Sequence, residues 1–296
     1  MTTFRSGFVS FVGRPNVGKS TLTNALVGEK VAITSAKPQT TRRAIRGIAN
    51  RESGQLILVD TPGLHRPRTL LGERLNDLVE TTLGDMDVIC FCIPANEKLG
   101  PGDNFINEQL SKYRRTKLVA VVTKCETVSR DRLAEQLQAV SELRDWNAVI
   151  PVSAVSGEQV VELAELLITL LPESEALYPI EMTTDESLEQ RICELIREAA
   201  LEGVHDELPH SIAVTIDEMG ERENSNLFDI YANVWVERDS QKGIIIGKGG
   251  SRLKDVGSKS RSEIEALLGK KVFLGIRVKV SPDWQRDPKA LGRLGF

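Results

Sequence analysis

The stretch GFVSFVGRPNVGKSTLTNALVG, residues 7–28, decides how the rest of the chain is read. It opens as an apolar run of strand type and closes with helical spacing. Between the two, Gly13-Arg14-Pro15-Asn16-Val17-Gly18-Lys19-Ser20 matches G-x-x-x-x-G-K-[ST], a P-loop in its required strand–loop–helix setting. The glycines let backbone N–H groups converge on phosphates, and the helix N-terminus adds positive potential. Lys19 is placed to reach the β- and γ-phosphates of a nucleotide. Ser20, followed by Thr21 in the helix, offers a hydroxyl to Mg2+, which prefers near-octahedral oxygen ligation.

Outward from this arm, apolar runs at 7–13, 56–60, 87–93, 118–123 and 148–154 alternate with helix-like stretches at 19–28, 70–83, 102–113, 130–144 and 158–170. Continuous apolar strands alternating with helices predict an α/β fold, a parallel sheet covered on both faces. Such sheets carry their active groups at the carboxyl ends of the strands. A P-loop alone suits a kinase or an ATPase as well. Asp60-Thr61-Pro62-Gly63, at the end of the second run, narrows the choice. Asp60 can reach Mg2+ through water, and the Gly63 N–H can sense a γ-phosphate. The polar connection VAITSAKPQTTRRAI (31–45) is placed to close over the metal and the γ-phosphate through a threonine, Thr41 first and Thr40 second. The fourth run, VVTKCETV (121–128), breaks off at Thr123-Lys124-Cys125-Glu126, a charged tip on a buried strand.

The alternation ends near residue 172 in a Pro- and acid-containing stretch that reads as a linker. Beyond it, a helix at 187–203, strands at 211–219 and 226–238, a Gly-rich turn, a helix at 251–268 and a strand at 270–281 supply five of the six elements of an α-β-β-α-α-β order. Gly247-Lys248-Gly249-Gly250 follows the apolar Gly243-Ile244-Ile245-Ile246 and opens a helix. A G-x-x-G loop in this position clamps the backbone of about four nucleotides of single-stranded nucleic acid. Lys242, Lys248, Arg252, Lys254, Lys259 and Arg261 cluster around it, suited to phosphates, with Ile246 and its neighbours offering an apolar surface for bases. Charge is divided along the chain: residues 181–240 hold 16 acids against 4 Arg, a net of −12, and residues 241–296 hold 13 Lys and Arg against 5 acids, a net of +8. A basic block of this kind fits a polyanion partner, and the acidic block is expected to be a solvated opposite face.

Across its 296 residues the chain is 41% apolar and 27% charged, ordinary for a globular protein and unlike disordered or fibrous ones. No apolar run approaches 18 residues, so no membrane span is expected, and the N-terminus lacks the h-region of a signal peptide. Cys90, Cys92, Cys125 and Cys193 show neither metal nor disulfide spacing. They read as small buried thiols of a reducing compartment, with Cys90 and Cys92 on the same strand face.

GRPNVGKST, KPQTTR, DTPG, SAVSG and IIGKGGSRLK resemble, first, a translation-factor-like GTPase and, over essentially the whole chain, the bacterial Era family. That resemblance implies a GTPase domain over 1–172, a linker over 173–186 and a type II KH domain with a C-terminal tail over 187–296. It implies that Thr123-Lys124-Cys125-Glu126 stands where the family reads guanine with N-K-x-D, supported by Ser153-Ala154-Val155-Ser156-Gly157. The Lys124 stem would cover one face of the base, the Ala154 N–H would donate to O6, and Glu126 would accept from N1–H and the 2-amino group together. The sequence departs from the family at Thr123, in place of Asn, and at Glu126, in place of Asp, which moves the carboxylate by roughly 1.5 Å, one C–C bond. Leu64 stands where Ras-like GTPases place a water-orienting glutamine, so slow turnover is expected, with catalysis resting on Lys19, Thr41, Gly63 and Asn16. Asn16 is the residue through which related GTPases hold K+. The implied cofactors are Mg2+ and K+, and the substrate and product are GTP and GDP. The implied partners are the 3′ end of small-subunit (16S) ribosomal RNA and the 30S subunit, during small-subunit maturation. A monomer, cytoplasmic with a peripheral membrane fraction, is expected. Thr123 and Glu126 also motivate an alternative: an RNA-binding assembly module whose nucleotide pocket has drifted.

Overall fold

The computed structural model describes residues 3–35, 40–62, 69–204 and 208–295. The chain divides into two compact units, the bulk of the first ending at Asp185 and the second beginning at Glu186.

The first unit is a six-stranded sheet. Its strands are β1 (Arg5–Val12), β2 (Ile45–Arg51), β3 (Gly54–Asp60), β4 (Val88–Pro94), β5 (Lys117–Thr123) and β6 (Ala148–Val152), in the order β2-β3-β1-β4-β5-β6. All neighbours are parallel except β2, which runs antiparallel to β3 at the edge. Among the described residues the unit's helices are α1 (Lys19–Val27), α2 (Leu70–Gly84), α3 (Pro101–Leu110), α4 (Arg130–Ser141) and α5 (Val160–Leu170). The period of two along β4 sorts the core. Cys90 and Cys92 face one cluster with Leu22 and Leu26 of α1 and Leu163 and Leu167 of α5. Ile89, Phe91 and Ile93 face the other with Val79 of α2, Ile106 of α3 and Val140 of α4. Both faces are therefore covered, and all seven residues of β4 are buried.

β2 is a strand that periodicity does not announce. Gly47, Asn50 and Arg51 interrupt its apolar pattern, and it forms by hairpin pairing with β3. The segment expected as a linker is held against the first unit as far as Asp185. Gln55, fully buried in β3, accepts at Oε1 from the N–H groups of Leu177 and Tyr178 and donates from Nε2 to the Tyr178 carbonyl and to Asn50. Thr183 and Thr184 continue the attachment with a backbone bond and a bridge along β2.

The second unit opens with α6 (Leu188–Leu201), capped by Ser187 and Gln190 in a reciprocal box. β7 (Ala213–Glu221), β8 (Leu227–Val236) and β9 (Lys271–Val280) form a three-stranded sheet in that order, β7 antiparallel and β9 parallel to β8. Between β8 and β9 lie α7 (Asp239–Ile246) and α8 (Ser251–Leu268). The GIII run, expected to front the loop as bare apolar surface, is thus the last turn of a helix. Ile245 is fully buried in the core and Ile244 is exposed. The C-terminal tail folds into α9 (Pro288–Arg293) and buries Trp284, whose Nε1 donates to the Ser211 carbonyl at 3.1 Å. Among the described residues no helix is long and apolar enough to cross a membrane.

Candidate nucleotide and nucleic-acid sites

The carboxyl ends of β1, β3, β5 and β6 bring the predicted nucleotide residues together. Gly13 leaves β1 against the end of β4, where a Cβ would stand 2.6 Å from the Cys92 carbonyl oxygen, so only glycine lets the loop turn there. Gly18, left-handed at φ 98°, caps α1 without a side chain and leaves the helix N-terminus to the loop. The Lys19 ammonium is buried and donates to the carbonyls of Gly13 (3.1 Å) and Arg14 (3.0 Å).

Three oxygen side chains converge beside it. Ser20 Oγ donates to Asp60 Oδ2 at 2.6 Å, Thr41 Oγ1 donates to the same oxygen at 3.1 Å, and the two hydroxyls lie 3.2 Å apart. It is Thr41 of the two threonines whose hydroxyl reaches Asp60. Asp60 Oδ1 is buried and has no hydrogen-bond partner. Magnesium with oxygens at about 2.1 Å sets neighbouring ligands about 3 Å apart, so this trio with its orphaned carboxylate oxygen fits a hard divalent cation. Burial pushes the Asp60 carboxyl above the usual carboxylate range against hydrogen bonds from Ser20 and Thr41 and the charge of Lys19. Burial likewise lowers the Lys19 ammonium, opposed by Asp60. Desolvation thus outweighs the attraction between the two, and a bound cation and polyanion would compensate each. Thr61 and Pro62 follow, with Thr61 Oγ1 bonded to the Phe11 carbonyl. Gly63 and Leu64 lie outside the described residues.

On the other side of the loop an open pocket is lined by Gly18, Thr21 and Leu22, by Thr123, Lys124 and Glu126, and by Val152, Ala154 and Val155. The strand tip is tied to the P-loop twice. Thr123 Oγ1 donates to the Val17 carbonyl at 2.6 Å, and Lys124 Nζ to the Asn16 carbonyl at 2.7 Å. Thr123 thereby supplies a brace where the family pattern has an asparagine. Asn16 (φ 64°) and Lys124 (φ 58°) are both left-handed, a strained state for lysine and one that clusters at functional sites. Glu126 is exposed at the pocket rim. Cys125 points elsewhere: its thiol is buried against Glu158 at 3.7 Å and pushed up to about 11, by burial first and then by Glu158 and Glu126. Ser153 is buried and accepts the Ser156 N–H at 3.0 Å, which shapes the turn that carries Ala154 and Val155. Leu22 and Val152 line the pocket without having been picked out, because apolar lining carries no motif.

In the second unit Gly247 (φ 73°), Gly249 (φ 61°) and Gly250 (φ 79°) turn the chain between α7 and α8. A Cβ at Gly247 would lie 2.7 Å from that of Arg252 and 3.0 Å from its backbone nitrogen. Lys248 and Lys254 are exposed, Lys242 and Ile246 half-buried. Arg252 and Lys259 differ from expectation. The Arg252 guanidinium donates to the carbonyls of Ala200, Glu202 and Gly203, closing the C-terminus of α6, because a helix end leaves carbonyls that a cation satisfies well. Lys259 is paired with Glu202. Asp217 and Glu221 of the acidic block likewise pair with Lys279 and Lys270. Among the described residues Lys248 and Lys254 have no ion-pair partner, so unbalanced positive charge remains at the glycine loop.

Family models match the two halves separately: 50S ribosome-binding GTPase over residues 8–124, and KH domain over residues 207–285. GTPase Era of Streptomyces coelicolor is 63% identical over 304 residues, covering 100% of this chain and 96% of its own length. GTPase Era of Mycolicibacterium smegmatis is 62% identical over 299 residues, covering 100% of both. The chain belongs to the GTPase Era family. It is a GTPase whose P-loop domain is followed by a KH domain. Two solved Era structures, each 36% identical, match this chain over nearly its full length. An Aquifex aeolicus Era variant bound to GDP and AlF4− has a TM-score of 0.94, with 98% of this chain and 99% of that one covered. Era in complex with MgGDPNP and nucleotides 1506–1542 of 16S ribosomal RNA has a TM-score of 0.95, with 99% of both covered.

Proposed function

We propose that this chain is a GTP-hydrolysing switch that binds the 3′ end of small-subunit ribosomal RNA and acts in assembly of the small subunit. The observation that carries the proposal is the convergence of Ser20, Thr41 and Asp60 on one point beside Lys19. Thr41 comes from the connection between α1 and β2, so the state of the phosphate site reaches that connection directly. Ser20, Thr41 and Asp60, the last through water, would hold Mg2+, which would neutralise charge on the phosphate oxygens. Lys19 and the P-loop N–H groups would hold the β- and γ-phosphates, and catalysis is positioning and charge neutralisation without a protein general base. Thr123, Lys124 and Glu126, with Ala154, would select guanine.

Gly247 to Gly250 would clamp the RNA backbone, with Lys242, Lys248 and Lys254 on its phosphates. The division into 1–172, 173–186 and 187–296 belongs to the same proposal, as do a cytoplasmic monomer with a peripheral membrane fraction and a K+ ion acting through Asn16. Replacing K+ by Na+ should slow turnover, and Asn16→Ala should abolish that difference. GTP turnover measured with and without a small-subunit RNA tail tests the whole: turnover that rises or falls with RNA supports it. Turnover absent in every condition would refute it. The two bonds from Thr123 and Lys124 to the P-loop weigh against a drifted pocket, and that absence would restore it.

A further inference from the structure

Arg14 enters the P-loop sequence as one of its variable positions, yet its side chain is among the most tightly held in the loop. Nε donates to Asp103 Oδ1 at 2.8 Å, and Nη2 meets Glu97 Oε2 at 2.9 Å. Asp103 is fully buried, whereas Glu97 is about half exposed, at 48%. The second Asp103 oxygen accepts the Gly100 N–H at 2.9 Å and closes the first turn of α3. One buried carboxylate therefore fastens a helix cap and the phosphate loop together. A buried carboxylate requires such a partner, and the guanidinium supplies it directionally. Gly102 makes the room: a Cβ there would stand 2.8 Å from Arg14 Cδ. At its other end Arg14 offers the carbonyl that accepts the Lys19 ammonium at 3.0 Å.

We infer that Asp103 is a positioning residue for GTP hydrolysis, acting through Arg14 to fix the backbone carbonyl that orients Lys19. Arg14 is a strut under the loop, and its guanidinium is engaged away from the phosphates. The inference rests on the GTPase reading of the site. Lys19 must meet charge that develops at the transferred phosphate, so a small displacement acts on the chemical step more than on ground-state binding.

Steady-state GTP turnover and GDP titration of the full-length chain, compared among wild type, Asp103→Asn, Arg14→Gln and the double variant, test this. Each single substitution should lower kcat about tenfold and change KM and GDP affinity less than about threefold, since misplacement by an ångström can cost up to about a hundredfold. The double variant should be no slower than the worse single one, because both cut the same strut. Gly102→Ala leaves both charges in place but crowds the Arg14 stem, and it should reproduce the loss of kcat even where Asp103→Asn does not fold. Unchanged kcat in Gly102→Ala and Arg14→Gln, a loss confined to KM, or losses that multiply in the double variant would each overturn the strut. Wild type without turnover would overturn the GTPase reading and the strut with it, whereas active wild type with equally active variants overturns the strut alone.

Discussion

Removing the 2-amino group of the base, by replacing GDP with IDP, should cost the complex one charge-assisted hydrogen bond to Glu126. Such a bond contributes about 1.5–3 kcal/mol. Glu126 is exposed at the rim of its pocket, where water competes, so the low end applies. About 1.5 kcal/mol corresponds to roughly a tenfold weaker Kd. The same geometry bears on the extra methylene. The strand tip is fastened by Thr123 to Val17 at 2.6 Å and by Lys124 to Asn16 at 2.7 Å, so it cannot follow a shortened side chain. Glu126→Asp withdraws the carboxylate by roughly 1.5 Å and stretches a bond of about 2.9 Å past 4 Å, beyond useful geometry. Glu126→Asp alone should therefore bind GDP about tenfold more weakly. Thr123→Asn with Glu126→Asp, which changes tether and arm together, should recover most of the loss. Competition of GDP and IDP against a fluorescent GDP analogue measures all of this in one format. Equal affinity for GDP and IDP in wild type, or a preference that survives Glu126→Ala, would refute the assignment of Glu126.

Asp60→Asn should leave nucleotide-free thermal stability unchanged or slightly raised while abolishing the tightening of GTP-analogue binding by Mg2+; melting curves and titrations with and without EDTA check both. The sign follows from burial, which raises the Asp60 carboxyl: the ionised group costs stability above its unfolded pKa, a cost that lifts as pH falls through the folded value, and Asn removes it throughout. Cys125, pushed up to about 11, should resist iodoacetamide near neutral pH, react faster as pH approaches that value, and leave GDP binding unaffected; rapid modification at pH 7, followed by mass spectrometry, would contradict this. Lys248→Ala and Lys254→Ala should each flatten the plot of log affinity for single-stranded RNA against log salt by about 0.7, without a change in melting temperature. Arg252→Ala should instead lower the melting temperature, having removed the donor to three carbonyls at the end of α6.

The parallel sheet was legible because its strands are buried on both faces and so read as unbroken apolar runs: β3 and β4 have no exposed residue. The edge strand β2 is different. Its stability comes from pairing with β3 on one side and from Thr183 and Thr184 on the other, and neither contribution leaves a periodic mark in IRGIANR. Gln55 is hidden for a related reason. A glutamine within an apolar run looks like a blemish, yet its amide makes two bonds from Nε2 and two at Oε1, and three of the four fasten residues more than 120 positions away.

Within the sites, legibility follows how far each group's role depends on local chain geometry. Glycines of the P-loop and of the G-x-x-G loop announce themselves because their backbone demands are local. Lys19, Ser20 and Asp60 are legible because spacing along a strand–loop–helix unit fixes where they point. Asp103 and Arg252 have long-range roles: one secures a loop 89 residues earlier, the other caps a helix about 50 residues earlier. Both carry charges that a linear reading assigns to the nearest motif or to solvent. Charge segregation misleads in the same way. The acidic and basic blocks are separate in sequence, but Glu202, Asp217 and Glu221 meet Lys259, Lys279 and Lys270 in the folded unit. Lys271 is paired as well, with Glu265, whereas Lys248 and Lys254, beside three left-handed glycines, meet no acid among the described residues. Pairing thus offsets part of the positive charge that the composition places in the 56 residues of the basic block, while the two lysines at the loop keep theirs, an attraction for phosphates where the glycines let a backbone approach.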